Sequence, residues 1–165
     1  MAPRWQNMRI PVGILALSLT ISLNALPRPQ ELSPNAPPDK PVGVSGPDQV
    51  KKFEEAIAPY VKKARETLPR AKKKYLKGLH RGEIFFVTTR IHEGDKFEQA
   101  FVRVTSWEDE TIRGLLASEM ALLTNHKRGE AVVCKESDVI DWTISKPDGT
   151  EEGNFVGKFL DTYKP

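Results

Sequence analysis

The chain has 165 residues, 39% apolar and 28% charged, which leaves room for one domain with a modest core plus extensions. Its formal charge of +3 divides unevenly: residues 1–50 carry +1, residues 51–82 carry +8 and residues 83–165 carry −6. A basic segment beside an acidic body argues weakly for nucleic acid, and the single cysteine, Cys134, excludes an internal disulfide and any CxxC motif.

Met1 to Arg9 holds Arg4 and Arg9 and no acid, and Ile10 to Leu23 is almost wholly apolar. Ala25 follows as the small residue at a cleavage site. A basic start, a short apolar run and a small-residue site read as a secretory signal peptide over residues 1–25, with export to the periplasm or beyond. The competing reading is an uncleaved inner-membrane anchor over residues 10–26, at the lower limit of about 17 residues for a span. Residues 26–47 read as a linker, because Pro27 to Pro47 holds seven of the 13 prolines. Such a stretch favours extended polyproline II and reaches roughly 65 Å at ~3.1 Å per residue.

Asp48 to Leu79 carries the helical pattern. Phe53, Ile57, Val61, Ala64, Leu68 and Ala71 fall three or four apart and draw one apolar stripe. Pro59 and Pro69 interrupt it, so two or three helical pieces are expected. The opposite face bears Lys62, Lys63, Lys72, Lys73, Lys74 and Lys77. Those lysines either form a patch for an anionic surface or sit against acids of the body such as Glu108, Asp109, Glu151 and Glu152.

From Glu83 the period changes to two. Ile84 to Thr89, Ala100 to Thr105, Thr111 to Leu116 and Ala131 to Cys134 read as short strands. His92 to Asp95 and Trp107 to Glu110 read as turns, and Ser118 to Leu123 fits a short helix or a continued strand. Ile140, Trp142 and Ile144 alternate with Asp141 and Thr143, then Lys146-Pro147-Asp148-Gly149 supplies a turn and Asn154 to Leu160 a returning strand. Trp142, Ile140, Phe86, Val102 and Val133 are the expected core. The fold class that follows is α+β: one domain over residues 48–165, with an N-terminal amphipathic helical segment packed on a strongly bent antiparallel sheet, or a small barrel, of five to six strands.

Chemistry is sparse. His80, His92 and His126 lack metal-ligand spacing, no P-loop, GxGxxG or GxSxG occurs, and nothing asks for a metal or a cofactor. Asp141 beside Trp142 is the candidate site, either as a ligand contact or general base, or as an acid that accepts backbone N–H bonds from a neighbouring loop. Gly153, in the glycine-bearing last hairpin, joins Asp141 and Trp142 as a ligand-binding candidate. Glu98 is the carboxylate that could pair with Asp141 in a hydrolase.

From about Ala64 onward the chain resembles the YegJ-like family of bacterial domains of unknown function. The resemblance rests on ARETLPRAKKKYLKGL, GEIFFVTTRI, EQAFVRV, TIRGLL, RGEAVVCKESDVIDW and DGTEEGNFVGKF, in that order. It implies a leading helix followed by an antiparallel sheet. Two positions depart from the family pattern: Glu98-Gln99 and Phe101 stand where Glu-His and a tryptophan are usual, and Ser118-Glu119-Met120 stands where Asn-x-Pro is usual. An amide at Gln99 cannot titrate, which points toward binding. Two functions are therefore expected to compete: a non-enzymatic envelope module that binds a protein or polymer, and a small hydrolase using Asp141 and Glu98. Nucleic acid is not an expected partner.

Overall fold

The computed structural model describes residues 46–163. The expected signal peptide and nearly all of the expected proline-rich linker lie outside the described residues. Helix α1 (Pro47–Lys77) precedes six strands, β1 (Ile84–Glu93), β2 (Lys96–Glu108), β3 (Thr111–Leu116), β4 (Ala131–Lys135), β5 (Asp141–Ser145) and β6 (Glu151–Gly153), and a short helix α2 (Phe155–Leu160) closes the chain. All strand pairs are antiparallel and their order is β4-β3-β2-β1-β5-β6. The sheet is open, with β4 and β6 at its edges, so the barrel alternative is set aside.

The helix is one piece, where two or three were expected. Pro47 occupies its first turn, where no amide is needed, and Pro59 and Pro69 lie inside it. Both interior prolines are exposed, while Phe53, Ile57, Ala64, Leu68 and Ala71 are buried on either side of them. Packing of that continuous stripe outweighs the local proline cost of about 3 kcal/mol each. Trp142 adds a tertiary anchor just before Pro69: its indole N–H donates to Ala64 O at 3.2 Å and Thr67 Oγ1 at 3.0 Å.

The register sorts the sheet into two faces. Phe85, Val87, Val102, Trp142 and Ile144 share the face that packs with Ala64, Leu68 and Ala71 of α1. A second cluster joins Phe53 and Ile57 of α1 to Ile140 and Val156. Gly114 of β3 is a site of close approach: a Cβ there would stand 2.2 Å from Arg103 O. Trp142, Ile140, Phe86 and Val102 are buried as expected.

Four local expectations are corrected. Val133 is 58% exposed, because it is an outward-facing residue of an edge strand. Trp107 belongs to β2 and is buried, with only Asp109 and Glu110 left to turn the chain. Segment 118–123 is neither helix nor strand; its amides bond to a side chain, as described below. The expected last strand from Asn154 is a helix: β6 ends at Gly153 (φ +81°), and Asn154 (φ +54°) redirects the chain into α2.

Candidate functional site

A cleft of about 930 Å³ lies between the N-terminal half of α1 and the sheet. Ile57, Ala58 and Val61 of α1 form one wall, Thr89, Arg90 and His92 of β1 a second, and Val133, Cys134, Ser137 and Asp138 a third, with Ile140 at the floor. Three cross-links hold these walls. Arg65 of α1 donates from Nε to Val139 O at 3.2 Å and from a terminal nitrogen to Ser137 O at 3.3 Å. Arg90 pairs with Glu54 across the opening. Thr89 Oγ1 donates to Asp138 O at 3.2 Å. The cleft is therefore a rigid, half-apolar trough with a mixed-charge rim. Cys134 opens onto it half-buried, and burial, with the charge of Asp138, pushes its thiol up to about 11, so it is a poor nucleophile at neutral pH.

Asp141 lies elsewhere in function. It is 1% exposed, on the sheet face opposite Trp142. One oxygen accepts the Trp142 amide at 2.8 Å and the other the Val156 amide at 2.6 Å. The carboxylate thus satisfies an otherwise unpaired N–H in the first turn of α2 and ties that helix to β5. Burial pushes its pKa up to about 6, against the opposing pull of those amides, the Gly157 amide and Lys158. The reading of Asp141 as an acceptor for neighbouring backbone matches this geometry.

Glu98 is likewise occupied. Its carboxylate accepts the amides of Ala121, Leu122 and Leu123 between 2.9 and 3.4 Å and organises the irregular segment over β2. Asp141 pairs in register with Thr88, and Glu98 with Ile91, three residues further along β1. Residues three apart on a strand point to opposite faces, so the two carboxyls do not share a concavity. Trp142 is core, and a Cβ on Gly153 would stand 2.2 Å from Trp142 O, so both candidates are held by packing. Among the described residues no group of three or more His, Cys, Asp or Glu could hold a metal ion.

The structure splits the six lysines. Lys72 meets Glu136 at 2.5 Å and Asp109 O at 2.6 Å, and Lys74 meets Glu152 at 2.6 Å. Lys63 lies over the Phe155 ring, 4.9 Å from its centroid, and Lys62 stands 3.9 Å from Glu66. Lys73 and Lys77 are exposed.

A family described as an uncharacterized protein conserved in bacteria (DUF2314) matches residues 53–162, more than half of the chain. The chain belongs to the DUF2314 family. No curated protein and no solved structure matches it. The DUF2314 match begins at Phe53, the first buried residue of α1, and ends just beyond α2, so it takes in every wall of the cleft. Sequence reasoning missed the cleft residues of this DUF2314 domain. Arg65 was visible only as one more cation on a basic helical face, Arg90 lay just past the expected first strand, and Val133 was read as core. Their convergence depends on how far the sheet bends, which no local pattern encodes.

Proposed function

We propose that this DUF2314 domain is a non-enzymatic binding module of the bacterial cell envelope, and that within the family it is a YegJ-like member exported by its N-terminal leader. The cleft between α1 and the sheet carries this reading. It has an apolar floor, a charged rim and cross-linked walls, the composition of a recognition site rather than of a proton-transfer site. Two facts favour binding over hydrolysis. The carboxylates that a hydrolase would need, Asp141 and Glu98, are engaged by backbone amides on opposite faces of the sheet. The thiol in the cleft has its pKa raised, not lowered. A protein or envelope polymer is the partner class, and nucleic acid is not.

The test places a bulky cation at exposed Ala58 in the cleft wall. Full-length Ala58→Arg should fold as the parent does and lose retention on immobilised envelope extract. N-terminal sequencing of protein recovered from the envelope should begin near Leu26. Retention unchanged in Ala58→Arg would reject the cleft, and intact protein confined to the cytoplasm would reject the export.

A further inference from the structure

The free edge of β4 forms one wall of the cleft, and its hydrogen-bonding phase can be derived. Leu116 N donates to Glu130 O, and Glu136 N donates to Glu110 O, both at 2.8 Å. These contacts bracket the β3–β4 register, in which Gly114 faces Val132 and Ile112 faces Cys134. Antiparallel ladders alternate hydrogen-bonded and non-bonded pairs, so Val132 and Cys134 bond inward to β3. The N–H and C=O groups of Ala131 and Val133 therefore point away from the sheet, while the amide of Lys135 is covered by Asp138 Oδ2 at 3.3 Å.

The opposite wall has the same property. Gly94-Asp95 is a two-residue turn, so Glu93 and Lys96 form a bonded pair and the odd residues of β1 face β2. Arg90 and His92 then turn their main chain to the other side, beyond the last β1–β5 pair at Thr88 and Asp141. His92 O meets His126 Nε2 there, at 3.4 Å. Arg90, His92 and Val133 line both the cleft and a smaller pocket beside it that Ala131 also lines, so the two strand edges face one concave surface.

Side chains along the β4 edge identify what fits. Val133 is 58% and Leu115 37% exposed, and both share the outer face with Arg113 and Lys135. Arg113 and Lys135 are exposed and neither is in an ion pair among the described residues. Two like-charged edges repel, which disfavours a second copy in this position. Inside, Ala58 and Val61 offer apolar surface, backed by the buried Ile57 and Ile140.

We propose that the cleft takes an extended acidic peptide that adds a strand to β4. The peptide residue opposite Val133 has its side chain on the outer face beside Arg113 and Lys135, where an acid is matched. Its neighbours point into the trough, where apolar side chains are matched. Main-chain bonds to Ala131 and Val133 supply affinity and the alternation supplies specificity. This rests on the binding-module reading above and adds to it the mode and chemistry of the partner.

The probe is an eight-residue peptide alternating Glu or Asp with Val, compared with its Lys-for-acid counterpart, against the full-length chain. Expected are binding of the acidic peptide alone, slowed amide hydrogen exchange at Ala131 and Val133, and at least about tenfold weaker binding by Val133→Pro. Proline at 133 removes only an outward N–H, so the melting temperature should hold. If that variant fails to fold, Arg113→Glu with Lys135→Glu replaces it and should switch preference to the lysine peptide. Equal binding of both peptides, or binding untouched by these variants, overturns strand addition. So does protection of the edge amides without peptide, which would place the chain's own leader or a second copy there. Should envelope retention still be lost in Ala58→Arg while the peptide fails, strand addition falls and the binding module stands.

Discussion

Asp141 keeps a carboxylate in the core because two short amide bonds hold it there, and burial opposes its charge. A carboxyl whose folded pKa, about 6, stands above its ordinary 3.8 contributes stability that is fully present below 3.8 and is lost as pH rises through 6. Two units correspond to on the order of 3 kcal/mol. Glu93, Glu130, Asp148 and Glu152 have lowered pKa values and act in the opposite sense, chiefly below pH 4.5. Denaturant titrations across pH 4 to 6 should therefore find the parent losing stability relative to Asp141→Asn, whose curve lacks that slope. Parallel curves would mean that Asp141 is solvated. Trp142 is the larger structural investment, 1% exposed, stacked near Phe85 and bonded to α1 through its indole N–H. Trp142→Ala should cost roughly 3–5 kcal/mol in the same titration, and less than about 1 kcal/mol would contradict its burial.

At the scale of elements, α1 is held to the body by its stripe and by a few charged contacts on its flank. Lys72 is the most connected: Glu136 and Asp109 O bind its ammonium, which also lies 5.3 Å from the Trp107 ring centroid, and the Trp107 N–H donates to the same Glu136 at 3.2 Å. Both side chains are about a quarter exposed, between the regimes of surface and buried pairs. Lys72→Glu should destabilise by about 1–2 kcal/mol, and adding Glu136→Lys should restore part of it. A double-mutant cycle measures the coupling, and additive losses would show that the pair contributes nothing of its own.

For the whole molecule, the +8 on residues 51–82 meets the −6 on residues 83–165 in direct ion pairs at Lys72 and Lys74 among the described residues. Each lysine near an anionic membrane is worth ~1 kcal/mol only if its charge faces outward. Lys73 and Lys77 are exposed, and Lys62 and Lys63 have neighbours of their own. Co-sedimentation of the protein freed of residues 1–25 should accordingly show no salt-sensitive preference for anionic over neutral vesicles. A strong preference lost at high salt would establish a lysine patch.

The apolar stripe from Phe53 to Ala71, the change of period at Glu83 and the alternation through Trp142 are local signals, so the α+β class and the core strands were legible in the sequence. The turns at Gly94-Asp95 and over Lys146 to Gly149 were legible for the same reason. Asn154 to Leu160 was not: its apolar residues suit a strand or a helix, and a distant carboxylate, Asp141, together with packing on α1 selects the helix. The continuity of α1 through Pro59 and Pro69 also depended on packing, because the local cost of proline is overcome only by surface that another element buries. Asp141 and Glu98 could be singled out as carboxylates, but their separation onto opposite faces is a matter of register. The cleft belongs wholly to the tertiary structure. Residues from α1, β1 and β4 meet there because the sheet bends, and hydrophobic periodicity specifies which face of a strand is buried without specifying how far the sheet curves.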